Sequence, residues 1–248
     1  MNSVINTFRV ADKSFDIHLP LLRITHDRVV FFLPSMVYDL TQQLFFRVNY
    51  AICGLCYLQP HASKWNEPNY QSQDLSGSGK PLEIIQREIL NPIDMAHNEH
   101  DLVRLYDSLP SVSADDLIGH SWRGKILRTN HSVLDLAEWA IIRPLSKLGF
   151  GWGKRYRSAD KGDPLLLNWK SRIFAPVPIW GNVDMTDIRW RGVPTATMNY
   201  DHQPWKDYFR LLSNDQGKMV LLGVWTHKQL AGGWFTLTLD AETPTEPS

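Results

Sequence analysis

The sequence predicts a mainly β chain of the α+β class, with a partly helical N-terminal extension packed on its β region. Three observations carry this expectation. From Leu117 onward the apolar residues fall mostly in short runs separated by turn residues, as strands do. Ten Trp, eight Tyr and ten Phe in 248 residues are an aromatic load that suits strands and the walls of an apolar pocket. Helical apolar spacing is confined to a few segments, most of them in the first 110 residues.

Residues 5–33 alternate as short half-buried strands: Phe8 and Val10, then Phe15, Ile17 and Leu19, then Leu22 and Ile24. Val29–Leu33 is a continuous apolar run that fits a buried strand or the start of a helix, and Pro34-Ser35 marks a boundary. From Met36 to Leu58 the spacing of Met36, Val37, Leu40, Leu44, Phe45, Val48 and Ile52 is helical. Residues 59–80, rich in Pro, Asn, Ser, Gly and Gln, form a loop. Pro81 opens a helix whose apolar face is Leu82, Ile85, Ile89 and Leu90, and Asn91-Pro92 stops it. A short helix follows over 98–108, and another over Leu134–Leu148. Gly149–Gly153 follows that helix and is expected to be its C-cap and a turn, with Lys154 and Arg155 in it. Strands are expected at 188–190, 196–200, 220–225 and 234–239. Three regions result: the extension 1–95, a mainly β region 96–240 and a disordered tail 241–248.

Lys plus Arg and Asp plus Glu each number 26, so the net charge is zero. No basic excess exists to neutralise a phosphate backbone, which argues against nucleic acid as the partner. Cys53 and Cys56 have redox C-x-x-C spacing. They lie among Leu55, Tyr57 and Leu58 without a thioredoxin-like context, so a buried structural pair is expected. Met1–Phe15 has no continuous apolar run of the signal-peptide kind, which points to the cytoplasm. Leu44–Leu58 is short and carries Arg47 and Asn49, so it is expected to pack rather than form a stable membrane span.

Nucleotide and nucleophile-elbow motifs are missing, and so is H-E-x-x-H; the nine His are scattered. Neither a metal nor a cofactor is therefore expected.

Leu102-Val-Arg-Leu-Tyr-Asp-Ser-Leu-Pro110 is followed by Leu117-Ile-Gly-His-Ser-Trp-Arg-Gly124, then Thr129-Asn-His131 and Gly151-Trp-Gly-Lys-Arg-Tyr156. Further on come Arg191-Gly-Val-Pro-Thr-Ala-Thr-Met-Asn-Tyr-Asp201, Pro204, Asp207, Phe209-Arg210 and Val220–Trp225. In this order the stretches resemble the GXWXG domain and its companion C-terminal domain of unknown function. One departure stands out. Gly119 lies three residues before Trp122, and His120 occupies the place of the motif's first Gly. The resemblance implies a lipocalin-like antiparallel β-barrel over 96–240, in which a Trp, here Trp122, plugs one end and Gly permits close backbone approach. It covers about 140 residues and implies architecture rather than chemistry.

The candidate catalytic groups are the polar residues inside those stretches: His131, Lys154, Tyr200 and Asp201. Each could donate, accept or polarise at a barrel mouth. Asp201-His-Gln-Pro204 equally fits a turn. The candidate ligand contacts are Trp122, Arg123, Trp139, Trp152, Trp190 and Trp225, with Arg123 equally suited to capping an aromatic ring. The expected partner is an apolar small molecule, and a homodimer is left open. Two functions fit: a cofactor-free isomerase or cyclase of a terpenoid- or polyketide-like natural product, and a carrier of a hydrophobic metabolite without chemistry.

Overall fold

The computed structural model describes residues 3–10, 17–19, 22–24, 29–34, 79–91, 95–129, 143–169, 173–176, 181–201, 204–215, 217–227 and 230–240. The helix expected over 36–58, the Cys53/Cys56 pair, most of the 59–80 loop, His131, Trp139 and the tail beyond 240 lie outside them.

Thirteen strands and three short helices make up these residues. The extension contributes β1 (Ser3–Val10), β2 (Ile17–Leu19), β3 (Leu22–Ile24) and β4 (Val29–Pro34). Helices α1 (Leu82–Leu90) and α2 (Glu99–Ser108) follow, then β5 (His120–Leu127), α3 (Arg143–Lys147), β6 (Phe150–Ser158), β7 (Lys161–Trp169) and β8 (Ile173–Pro176). The chain ends in β9 (Val183–Trp190), β10 (Val193–Tyr200), β11 (Trp205–Asp215), β12 (Lys218–His227) and β13 (Leu230–Leu239). The Val29–Leu33 run is thus a strand.

Eight strands in the order β7-β6-β5-β13-β12-β11-β10-β9 form a curled antiparallel sheet. Its two margins meet where β9 reaches the β6–β7 turn. There the Met185 N–H donates to Ala159 O at 2.6 Å. The Asn182 side chain joins the same seam, accepting from Gly162 N at 3.0 Å and donating to Asp160 O at 2.8 Å. Beyond β7 the hydrogen bonding continues through β8 to β1, paired at Arg9↔Phe174 and Val10↔Ile173, and on to β4, β3 and β2.

Period-two alternation sorts the side chains into two cores. The concave face gathers Trp122 (β5), Tyr156 (β6), Met198 and Tyr200 (β10), Trp205 and Phe209 (β11), Leu221 (β12) and Phe235 and Leu237 (β13). The convex face of β11–β13 presents Tyr208, Leu212, Leu222, Val224 and Trp234 to Ile85 and Ile89 of α1 and to Leu102, Leu105 and Tyr106 of α2. Both helices begin and end as their sequences dictate. Pro81 precedes the first turn of α1 and Asn91 ends it. Asn98 caps α2 by accepting from the His100 N–H at 2.9 Å.

Between α2 and β5 the chain runs as a strap. Pro110 O accepts from Leu211 N, Val112 O from Ala196 N, and Asp187 Oδ1 from Ala114 N. Gly119 N then donates to Tyr156 O at 2.7 Å. The strap therefore ties β11, β10, β9 and β6 together and delivers Leu117 beneath Trp122, whose Nε1 donates to Leu117 O at 3.3 Å.

Gly149–Gly153 is not the expected turn. Only Gly149 turns, with φ of 85°, and β6 starts at Phe150. Gly153 sits within the strand because a Cβ there would strike the Trp122 carbonyl of β5. Gly124, the motif's last Gly, leaves room for the Trp152 ring in the same way. Among the described residues no helix is long and apolar enough to cross a membrane.

Candidate functional site

On β11 the inward positions are Trp205, Asp207 and Phe209; on β6 they are Trp152, Lys154 and Tyr156. Alternation therefore forces one carboxylate and one ammonium into an aromatic interior. Lys154 Nζ lies 2.9 Å from Asp207 Oδ2. It also donates to the Tyr200 hydroxyl at 2.9 Å and to Pro164 O at 3.0 Å. An ammonium has three N–H donors, so all of them are used. Tyr200 in turn donates to Asp207 Oδ2 at 3.1 Å. The Lys154 charge stands 5.3 Å from the Tyr200 ring centroid and 5.6 Å from that of Phe235.

Burial sets the electrostatics. It pushes Asp207 above the usual carboxylate range and Lys154 below the usual ammonium range, and each partly restores the other's charge. The Tyr200 and Tyr156 hydroxyls are pushed well above their ordinary value by burial and then by the Asp207 charge, so both stay protonated. Oδ2 takes both donors, whereas Asp207 Oδ1 and the Tyr156 hydroxyl are buried with no hydrogen-bond partner among the described residues.

Of the residues singled out from sequence, Lys154 and Tyr200 meet in this cluster. Asp201 stands apart, exposed in the turn after β10 with its N–H donating to Asn182 O at 3.1 Å. Trp122, Trp152 and Trp225 belong to the interior; Trp225 meets Trp205 edge-on at 5.2 Å and Trp152 meets Phe235 at 5.8 Å. Trp190 lies on the convex side instead, stacked on Tyr208 at 4.3 Å and edge-on to Tyr106 at 5.3 Å. Arg123 follows Trp122 and so points away from the interior, where it grips Asp240 with bonds of 2.9 and 3.0 Å. Asp207 and Tyr156 were missed as site residues. The signal that finds them is the parity of Trp152-x-Lys154-x-Tyr156 and Trp205-x-Asp207-x-Phe209, two strand stripes that each carry a polar group between aromatics. Among the described residues no three His, Cys, Asp or Glu gather as metal ligands.

Two family models match the chain, "GXWXG protein" over residues 104–141 and "Domain of unknown function (DUF4334)" over residues 181–239. The GXWXG resemblance holds. The GXWXG segment supplies the end of α2, the strap and β5; the companion domain supplies β9–β13 with Tyr200 and Asp207. Lys154 and Tyr156 come from β6, between the two matched stretches. A crystal structure of a protein from Thermomonospora curvata is similar in fold, with a TM-score of 0.50 and 24% identity, covering 64% of this chain and 98% of that one. Among curated proteins nothing matches.

Proposed function

We propose that the protein is a cofactor-independent isomerase or cyclase acting on an apolar natural product, of terpenoid or polyketide type, held inside a lipocalin-like barrel. The observation that carries this reading is Asp207, a carboxylate buried among aromatic rings whose Oδ1 has no partner among the described residues. A carboxylate raised by burial is a stronger base than one in water. Oδ1 takes a proton from a ligand O–H or acidic C–H, and the electron pair left behind makes the new bond within the ligand. The proton then returns from Asp207 to another ligand atom, so substrate and product are isomers.

Lys154 and Tyr200 are positioning residues that hold Oδ2 and fix the direction of Oδ1. The Tyr156 hydroxyl donates to a ligand oxygen; a pericyclic rearrangement would need little more than that bond and the orientation imposed by the surrounding rings. The aromatic interior also suits a lipocalin-like carrier, and turnover separates the two readings.

The test is comparative metabolite profiling after gene deletion, followed by reaction of the purified protein with the compound that accumulates. The expected result is accumulation of a compound with the same elemental composition as the lost product. The protein converts one into the other with chelator present and nothing added, and Asp207→Asn slows the conversion by roughly 10²–10⁴-fold, the range of one positioned acid–base group. A requirement for added nicotinamide, flavin or metal would contradict the proposal, and so would a lost product of different composition.

A further inference from the structure

We infer that the interior site selects neutral ligands carrying a hydroxyl group, seating that hydroxyl between Asp207 Oδ1 and the Tyr156 hydroxyl. The inference rests on the reading that the interior holds the ligand, and it adds what that ligand carries.

The two groups sit on opposite corners of one small patch. Lys154, two residues from Tyr156 along β6, places Nζ 2.9 Å from Asp207. Phe209, two residues from Asp207 along β11, meets the Tyr156 ring edge-on at 6.4 Å. Asp207 and Tyr156 therefore stand diagonally to one another in the interior, close enough for the Asp207 charge to act on the Tyr156 hydroxyl, with exposures of 1% and 0%. Neither Oδ1 nor the Tyr156 hydroxyl has a hydrogen-bond partner among the described residues, although buried polar atoms are almost always paired. One atom can only accept and the other is a protonated donor. The complement of that pair is a single group that both donates and accepts, which a hydroxyl does.

A ketone or ether satisfies Tyr156 but turns its lone pairs on Oδ1. A hydrocarbon satisfies neither group. A carboxylate ligand meets the Asp207 charge at close range in a dry interior and is repelled. Selectivity thus comes from leaving the site's own polar atoms unpaired with any ligand that lacks a group able both to donate and to accept.

The test is calorimetric titration of the full chain near neutral pH with 2-naphthol, 2-methoxynaphthalene, naphthalene and 2-naphthoate, probes of similar shape. The expected result is that 2-naphthol binds roughly ten- to a hundredfold more tightly than 2-methoxynaphthalene or naphthalene, the worth of one hydrogen bond to a charged group. The naphthoate should be the weakest. Tyr156→Phe removes an unpartnered hydroxyl and so should fold, and it should shrink the preference. Equal affinity for the first three probes overturns the inference while leaving the ligand-binding barrel standing. A preference that is undiminished in folded Tyr156→Phe overturns the assignment to this pair. Absence of saturable binding by any probe overturns both the inference and the proposed function. Should Tyr156→Phe fail to fold, the wild-type probe series alone decides.

Discussion

At position 207 the chain places a carboxylate where burial disfavours charge, and at 154 an ammonium that suffers the same penalty. Removing one partner strands the other, so Asp207→Leu or Lys154→Met alone should cost about 3–5 kcal/mol in chemical denaturation. The double replacement should be close to neutral or more stable by about 1–4 kcal/mol. A double variant as unstable as the sum of the singles would show that the two groups do not act as a pair. The pH dependence has a definite sign. The folded value of Asp207 lies above its ordinary 3.8, so its contribution to stability is fully present below 3.8 and is lost as the pH rises through the folded value. Relative to Asp207→Asn, the wild-type chain should therefore lose stability over that window, as denaturation midpoints measured at successive pH values would register. If Asp207 is the base, activity rises through the same window, later than an ordinary carboxylate would allow.

The strands explain why some of this was legible and some was not. The opening motif implied close backbone approach at its Gly, whereas what a Cβ at Gly124 would meet is the Trp152 ring. Gly124→Ala should then cost about 1–3 kcal/mol, the usual size of an overpacked core position, and Trp152→Leu should recover part of it. His120, in the place of the motif's first Gly, is exposed at the start of β5, and the residue with the left-handed backbone is Gly119 before it, with a φ of 82°. Replacing His120 by Ala should change the denaturation midpoint by no more than an ordinary surface substitution, within about 0.5 kcal/mol. The Gly149–Gly153 run misled because glycines signal turns locally, whereas Gly153 answers to the neighbouring strand's Trp122 carbonyl, a contact that sequence spacing does not reveal. The same limit hid Asp207. It stood in the companion stretch with its neighbours known, but its direction depends on the parity of β11, and that strand starts at Trp205. Trp190, a candidate ligand contact as one of the chain's many Trp, is not in the interior. Its strand turns it onto Tyr208, at a hairpin in which Arg191 and Gly192 both take positive φ, 49° and 82°. Arg191 there grips Asp107 of α2 through both guanidinium arms at 2.6 Å.

Across the whole molecule, the sheet does not stop where the recognised stretches do. β1 pairs with β8 and carries β4, β3 and β2 beyond it, while α1 and α2 cover the convex face. Limited proteolysis is therefore expected not to release a stable, separately folded fragment spanning the first 60 to 100 residues; recovery of such a fragment would show the extension to be an independent unit. The eight-stranded curled sheet, sealed at the β9 seam and strapped by residues 110–119, leaves an interior in which aromatic rings surround one oriented carboxylate. The measurement that bears most directly on that interior is a titration of the folded chain with a neutral apolar fluorophore such as N-phenyl-1-naphthylamine, followed by quenching of tryptophan emission. Saturable one-to-one binding is predicted, weakened when Trp225 or Trp152 is replaced by Ala in a chain that still folds. No saturable binding, or binding indifferent to both replacements, would contradict a ligand site inside the barrel.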